Sequence, residues 1–578
     1  GLVADQMRGY FLSEENGSYI SVFPIDKKMR YLVPFHDPAE IIGYFREVAA
    51  EDGTVDRVVV LADDGEKFGL WPGTHSLCYE ENWLRRFCDA LRENADWIET
   101  TTFSPVLDSA RPLGIVYLPT ASYSEMMEWA LPLRAQISYY RAKQLLEASG
   151  DFPEAAEAVR GGLWRNFLVK YEESNWMHKR MLGVSAAVEE AVRKEMSKPD
   201  PGAAPDDVED LDNALSHLYQ AQCNCAYWHG LFGGLYLPHL RSAIFSQLIE
   251  AENTLEAAGP GDGGVTWSVS DIDGDGVDEV AIRTGSFRAW LKARGGTLRE
   301  LDSLDPPFNV TDTLTRREEY YHRDVLRLSE GGEAGQGHAV SIHDMAVAKE
   351  KGLEKILLYD RHPRSCLVDH FIGRGEDLDS FHSGRYEELG DFVKGIYSIE
   401  VDDSGEDPVF LMARDGSVSG PGGKVPVSLS KKISVDRSAA TLDVEYSITA
   451  RGNGLDCVFA VESVFTMLAG NAPDRYFTIP GRDLEMRHLA SSGEEPGVGA
   501  VTMTDEWMDL SVTLEIQPPA MLWRFPVETV SNSDSGFERV YQGSSLLPLW
   551  DLRLDEGQSA AFRIMITLGP AGEAAPEE

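Results

Sequence analysis

Apolar and polar positions follow three different rhythms along this chain, each confined to its own stretch. Up to about Thr120, short apolar runs at Tyr19 to Pro24, Arg57 to Leu61 and Gly114 to Leu118 read as strands, and segments of helical spacing start at Asp37-Pro38, Glu81 and Ser122. That βαβα alternation predicts part of a parallel (β/α) barrel. Three strands cannot close one, so an exposed sheet edge is expected. From about Arg134 to Ala258 a helical period takes over, with helices expected at Ala135 to Ala148, Asn175 to Ser197, Val208 to Tyr227 and Leu235 to Ala257. The Pro/Gly/Asp-rich stretch Lys198 to Asp207 interrupts them as an exposed loop, and Ala258 to Gly264 reads as a linker. Beyond Val265 short alternating runs such as Ser428 to Val435, Ala440 to Thr449 and Ala561 to Thr567 lie between Gly/Asp/Ser turns, the signature of an antiparallel β-sandwich.

The expected fold class is therefore multidomain, α/β plus α plus β. It comprises a partial parallel (β/α) barrel over residues 1–133, a helical bundle over 134–259 and a large antiparallel β-sandwich over 265–568, with a disordered tail over 569–578.

Composition narrows the partners. The 578 residues are 43% hydrophobic, which suits sizeable globular cores. A formal net charge of -42 argues against nucleic acid and anionic membranes, which would repel the chain, and leaves a neutral polymer compatible. Six cysteines, Cys78, Cys88, Cys223, Cys225, Cys366 and Cys457, show no paired zinc-type spacing, which favours a reducing, cytoplasmic setting. No run approaches the roughly 20 apolar residues of a membrane span. A homo-oligomer is left open.

Candidate chemistry concentrates where the run Arg57 to Leu61 ends in Asp63, Asp64 and Glu66, followed by Lys67, Phe68 and Trp71. Barrel enzymes carry their reactive groups at strand ends, although an Asp-Gly turn leaving a strand gives the same pattern. If strand geometry persists, Asp64 and Glu66 share a face, and a second carboxylate there would raise the first one's pKa. The alternative is that Glu66 simply pairs with Lys67 or an arginine.

Tyr227-Trp228-His229-Gly230 joins a helix end to a glycine-rich turn and combines flat apolar faces with ring nitrogens, which suits a sugar ring as well as it suits an aromatic core. Trp164 and His178 carry the same two readings. In Asp271-Ile272-Asp273-Gly274-Asp275-Gly276-Val277-Asp278-Glu279, carboxylates at Asp271, Asp273, Asp275 and Glu279 can converge on a hard cation, with Ca2+ as the natural ion. A solvated acidic turn is the competing reading. Position 12 of the loop is Ile282, so the EF-hand pattern is incomplete. Zinc-protease, nucleophile-elbow and phosphate-loop motifs do not occur.

Asp63-Asp64-Gly65-Glu66-Lys67-Phe68-Gly69 resembles the acid/base motif of glycoside hydrolase family 57, the α-amylase and 4-α-glucanotransferase family. Further blocks resemble it in the same order: Ser21 to Asp26 with Arg30 to Phe35, Arg160 to Trp164, Glu173 to Met181, Gln222 to Asn224 with Ala226 to Gly230, Asp369 to Ile372 and Leu389 to Phe392. The resemblance implies a retaining mechanism on an α-1,4-glucan or maltooligosaccharide, with Asp64 as acid/base and a Glu nucleophile. It also implies substrate-binding roles for Glu66, Lys67, Trp164, Tyr227, Trp228 and His229, and a 4-α-glucanotransferase activity. The alternatives are an α-amylase, or an inactive glucan-binding homologue. The family's nucleophile lies upstream of its acid/base, in a Trp-Leu-x-Glu context, with a His-Gln-Pro block; neither pattern occurs in these residues, so the opening barrel strands and the nucleophile are expected to lie outside the chain as given. Cys225 stands where archaeal-type glucanotransferases have Asp, removing an acceptor for a sugar hydroxyl.

Overall fold

A computed structural model describes residues 7–50, 57–71, 73–122, 124–148, 161–197, 205–230, 233–257, 264–330, 348–420, 422–436, 439–452, 454–533 and 536–572. Most of the expected loop 198–207, most of the linker at 258–264 and the end of the tail, 573–578, lie outside the described residues. The chain divides into two compact units, residues up to Thr120 and residues from Ala121 onward.

In the first unit Phe11–Glu15 and Ser18–Val22 form an antiparallel hairpin, closed by Asn16 and Gly17 at φ 50° and 84°. Asn-Gly is a two-residue hairpin signal, because both positions need a left-handed backbone. This corrects the expectation of a parallel strand at Tyr19 to Pro24. Arg57 to Leu61 and Gly114 to Leu118 also form no continuous strands. Each touches its neighbour in parallel at one bridge, Ile25 with Val60 and Leu12 with Ile115. Backbone hydrogen bonds support these contacts: Asp26 to Val60, Val58 to Arg8, Leu113 to Tyr10, Leu12 to Gly114 and Val116 to Leu12. A β-branched run becomes a strand only where a neighbour lies alongside it over several residues, and here each meets its neighbour at a single bridge. No closed barrel is present among the described residues.

The expected helices of this unit do form, as Pro38–Ala50 and Trp83–Glu93, with Lys27–Leu32 in addition. They bury Met29, Leu32, Ile41, Val48 and Trp83 in one core. Asp26 caps Lys27–Leu32 by accepting from the Met29 N–H at 3.0 Å and is itself tied to Tyr44 and Arg8.

The second unit opens with helices Ser124–Ala130, Leu133–Ala148, Glu172–Met196, Pro205–Ala221 and Pro238–Ala257. Helix Pro205–Ala221 stops six residues before the expected Tyr227, and a single 3-10 turn, Asn224–Tyr227, follows. The Tyr227 hydroxyl donates to the Ala221 carbonyl at 2.6 Å, satisfying an acceptor that the helix end leaves open. Pro238 begins the last helix because proline suits a first turn, which holds no N–H partner.

The rest is antiparallel. Thr266–Ser270, Glu279–Arg283, Phe287–Lys292, Thr297–Leu304 and Pro307–Asn309 form a five-stranded sheet in chain order. An eleven-stranded sheet runs from Val368–Ile372 through Leu455–Phe465, Gly536–Leu554, Leu510–Ser533, Ser559–Gly569, Thr441–Ala450, Gly423–Asp436 and Val409–Gly420 to Ser398–Asp402. Gly493–Asp505 pairs with Leu510–Ser533 and also carries Arg475–Thr478. Inner faces of both sheets share one core, which includes Ile282, Phe287, Leu298, Val427, Leu429, Phe459 and Ile566. In Gly423–Asp436 every second residue from Val425 to Val435 is buried, as the alternation predicts. The polar exception, Lys431, reaches Asp369 at 2.8 Å inside the core. No helix among the described residues is long and apolar enough to cross a membrane.

Helices and sheets of this unit are joined by buried ion pairs. Arg180 of Glu172–Met196 donates to Glu300 at 2.8 Å and to both oxygens of Glu252 at 3.1 and 3.0 Å, and its guanidinium lies 3.9 Å from the Trp290 ring centre. Arg241 of Pro238–Ala257 grips Asp312 at 3.0 Å and Gln542 at 3.0 Å. Replacing Arg180 by Met leaves buried Glu300 without its cation and Glu252 with only the longer contact to Arg288 at 3.8 Å. The expected loss is about 3–5 kcal/mol, read as a lower denaturant midpoint; a loss under about 1 kcal/mol would show that the clamp does not hold helix to sheet.

Candidate functional site

In the first unit the carboxylate motif sits on a turn rather than at a strand end. Gly65–Phe68 is a single 3-10 turn, so the strand alternation expected to align Asp64 with Glu66 does not continue through it. Asp63 is the buried member of the pair, its side chain 3% exposed, whereas that of Asp64 is 52% exposed. The reason is Lys67. Its buried ammonium donates to Asp63 at 2.7 Å and to the Arg30 carbonyl at 2.6 Å, drawing Asp63 inward and fixing the turn. Phe35 and Trp71, stacked at 6.2 Å, bracket that ammonium at 5.7 and 5.6 Å.

Arg30 spans both acids, with Nε 3.2 Å from Asp63 and Nη2 3.2 Å from Asp64. Asp64 is therefore a solvent-open carboxylate on a pinned backbone, able to give or take a proton from a bound molecule. Glu66 is exposed beside it and Lys67 is turned into the protein.

The second unit holds the aromatic set. Trp228 is half-buried and stacks on Trp129 at 5.6 Å with 27° between the rings, while its indole N–H reaches Asn224 at 3.4 Å. This pair forms a flat apolar face next to a polar edge. Gly230 underlies it: a side chain there would meet the Trp129 ring at 2.8 Å. Gly234 has φ 48°, and a Cβ would fall 2.2 Å from the Trp228 carbonyl, so only glycine fits that turn. Tyr227 is buried. Trp164 packs edge-on against His178 at 5.4 Å.

His229 is buried and held at both ring nitrogens, by the Gly233 carbonyl at 2.8 Å and the Tyr321 hydroxyl at 3.2 Å. Burial lowers its pKa to about 4 despite the nearby Glu319 carboxylate. Glu319 is the hub of this region. It accepts from Tyr171 at 2.6 Å, Tyr236 at 2.8 Å and Lys170 at 2.9 Å, and these partners overcome its burial and hold it near about 2. Neither Trp129 nor Glu319 stands out in the sequence; Glu319 lies 148 residues from Tyr171, so only the fold brings them together.

The acidic loop closes on a lysine. Lys292 contacts Asp273 closely, Asp275 at 3.2 Å and Glu279 at 3.6 Å, and Arg294 adds a contact to Asp275 at 3.2 Å. Asp271 accepts the N–H groups of Asp275 and Gly276, both at 3.0 Å. Asp271, Asp273 and Glu279 can still converge ligand oxygens within 4.8 Å of one another. Glu279 Oε1 is buried without a hydrogen bond, and burial together with Asp273 pushes that carboxyl up to about 7. The donor set suits a hard cation, and Lys292 supplies positive charge in the same place.

Comparison with known proteins bears on all of these residues. Residues 4–119 match the model of glycosyl hydrolase family 57. Residues 162–255 match the alpha-amylase/4-alpha-glucanotransferase middle domain and 271–564 its C-terminal domain. Alpha-amylase 1 of Dictyoglomus thermophilum is 37% identical over 563 residues, 97% of this chain and 76% of that protein. The 4-alpha-glucanotransferase of Thermococcus kodakarensis is 36% identical over 552 residues, 95% of this chain and 74% of that one. The crystal structure of 4-alpha-glucanotransferase from Thermococcus litoralis superposes with a TM-score of 0.76 at 32% identity, covering 98% of this chain and 76% of that one.

The environment of His229 makes stability depend on acid. Its ordinary pKa is 6.5, so between there and about 4 the unfolded chain binds a proton that the folded chain refuses, and stability falls as pH drops through that window. Glu319 stays charged throughout it, and Lys170, Tyr236, Tyr321 and His322 complete the surroundings. Between pH 7 and 4 the unfolding free energy of the wild type should fall by an amount of order 3 kcal/mol from this group, and His229→Gln should flatten the slope. Equal slopes in the two proteins would remove His229 from the account.

Proposed function

Because this chain belongs to glycosyl hydrolase family 57, within its alpha-amylase and 4-alpha-glucanotransferase group, we propose that it acts on α-1,4-glucans and that Asp64 is the acid/base. The observation that carries this reading is the division of labour between neighbouring acids. Lys67 and Arg30 hold Asp63 inward, which leaves the Asp64 carboxyl half exposed with Arg30 at 3.2 Å. In the retaining mechanism a carboxylate nucleophile about 5 Å away takes the sugar while Asp64 protonates the departing glycosidic oxygen. Asp64 then removes the proton from the incoming hydroxyl. Arg30 Nη2 donates to Asp64 at 3.2 Å and so helps to set the position of its carboxyl group.

The Trp228 and Trp129 pair supplies a stacking surface for a glucose ring, with Asn224 at its edge for a hydroxyl. Transfer to a second sugar is favoured over hydrolysis by the match, over 98% of this chain, to a 4-alpha-glucanotransferase structure. Hydrolysis is the second reading, carried by the relative named alpha-amylase 1. The parallel bridges of Leu12 with Ile115 and Ile25 with Val60 support reading the first unit as part of a (β/α) barrel. Asp271, Asp273 and Glu279 would hold a structural calcium, which would take over the neutralising role of Lys292.

Assayed as encoded by its whole reading frame, the enzyme should convert one maltooligosaccharide into both longer and shorter chains; shorter chains alone would establish hydrolysis instead. Asp64→Asn should lower kcat/KM by about 10²- to 10⁴-fold at an unchanged unfolding midpoint. Full activity in that variant would reject the assignment. Trp228→Ala should raise KM roughly fivefold with little change in kcat, about 1 kcal/mol of lost stacking.

A further inference from the structure

A second cluster of reactive side chains is built on the strands Val368–Ile372 and Leu455–Phe465 of the eleven-stranded sheet. We propose that His362, His370 and Glu462 form a binding site for a zinc-class divalent ion. Strand pairing fixes two of the three: Ala460 stands opposite His370 and Val368 opposite Glu462, so both side chains emerge from adjacent strands two residues apart in register. His362 arrives from the segment that leads into Val368–Ile372.

The donor atoms already converge. His362 Nε2 is 2.8 Å from Glu462 Oε2, His370 Nε2 is 3.7 Å from the same oxygen, and all three donors lie within 4.8 Å of one another. A tetrahedral ion with ligands at about 2.0–2.2 Å sets its donors about 3.3 Å apart, so small side-chain shifts suffice. Two imidazoles and one carboxylate are a ligand set zinc uses, and three protein donors leave such an ion one further position.

Each ligand is also held from behind. His370 Nδ1 meets Glu388 Oε2 at 2.8 Å, His362 Nδ1 meets the Tyr386 hydroxyl at 3.5 Å, and Glu462 Oε1 accepts from Ser545 at 2.8 Å and from Arg364. Carboxylates and hydroxyls behind metal-ligating histidines orient the rings in this way. All three residues are buried. The ion-pair network includes His370 as well, through Glu388 at 2.8 Å, but its Nε2 lies 3.7 Å from Glu462 Oε2, too far for a hydrogen bond, and is buried facing the centre of the cluster. An ion satisfies that nitrogen.

The site would clamp Val368–Ile372, which ends the sheet order, to the segment before it. Because the cluster is sealed, the ion would enter while the chain folds. The full chain, free of affinity-tag histidines, is therefore produced in zinc-supplemented medium. Its exposed Cys88, Cys223 and Cys225 are alkylated, and metal is counted after gel filtration. The expected result is about one zinc per chain, falling below about a tenth in His370→Gln. Refolding with Co2+ should give the visible bands of a four-coordinate ion in the wild type, and these bands stand in if the variant does not fold. Refolding with Zn2+ should also raise the unfolding temperature by several degrees, whereas Mg2+ should not. A wild type that carries no more zinc than the variant, or one that folds without zinc uptake and shows no cobalt bands, would overturn the proposal and leave an ion-pair network.

Discussion

The constraint that organises this protein is that a carboxylate removed from water must be given a cation or several hydrogen-bond donors. In the second unit Glu319 is held by Lys170, Tyr171 and Tyr236, and Glu252 and Glu300 by Arg180. Glu173 accepts from the Thr315 backbone at 2.9 Å and meets Arg317 at 2.9 Å, which holds it near about 2. These pairs tie the helices to one another, to the strand Thr297–Leu304 and to the segment 310–321, all distant in sequence. The same rule in the first unit pins Asp63 with Lys67, while Asp64 beside it stays half exposed.

Charge supply gives this rule its reach. The chain has 53 lysines and arginines against 95 aspartates and glutamates. Cations spent on Glu319, Glu252, Glu300, Asp312 and Asp360 are buried, and the surface is left strongly negative. A neutral glucan pays no electrostatic penalty to approach such a surface, and long-range attraction contributes nothing to its binding. Recognition then falls to shape and stacking, which is the role open to the Trp228 and Trp129 face.

The sequence showed the helices well and the sheet contacts of the first unit poorly, for identifiable reasons. Glu172–Met196 repeats its apolar positions over many turns, so its period is unmistakable. Arg57 to Leu61 carries a strand's composition, yet pairing is a property of neighbours, and only Val60 finds a bridge. Asn16-Gly17 is a local hairpin signal, and it outweighs the β-branched composition of the flanking runs. At the site, the Asp63 to Gly69 block was legible as a local motif, whereas the role of Lys67 depends on where its side chain turns. The acidic loop at 271–279 was visible in sequence and Lys292 inside it was not, because register across a hairpin brings the lysine back. Glu319 and the His362, His370 and Glu462 cluster are assembled from distant segments and left no local pattern.

The central claim is that Asp64 delivers a proton to the departing oxygen, and leaving-group dependence tests it most directly. A maltosyl fluoride needs no proton to release fluoride, whereas a maltooligosaccharide must have its glycosidic oxygen protonated. Asp64→Asn should therefore form the glycosyl-enzyme from the fluoride at close to the wild-type rate while its rate with the oligosaccharide collapses. An equal loss with both substrates would contradict the account, because it would mean that Asp64 shapes the site without handling the proton.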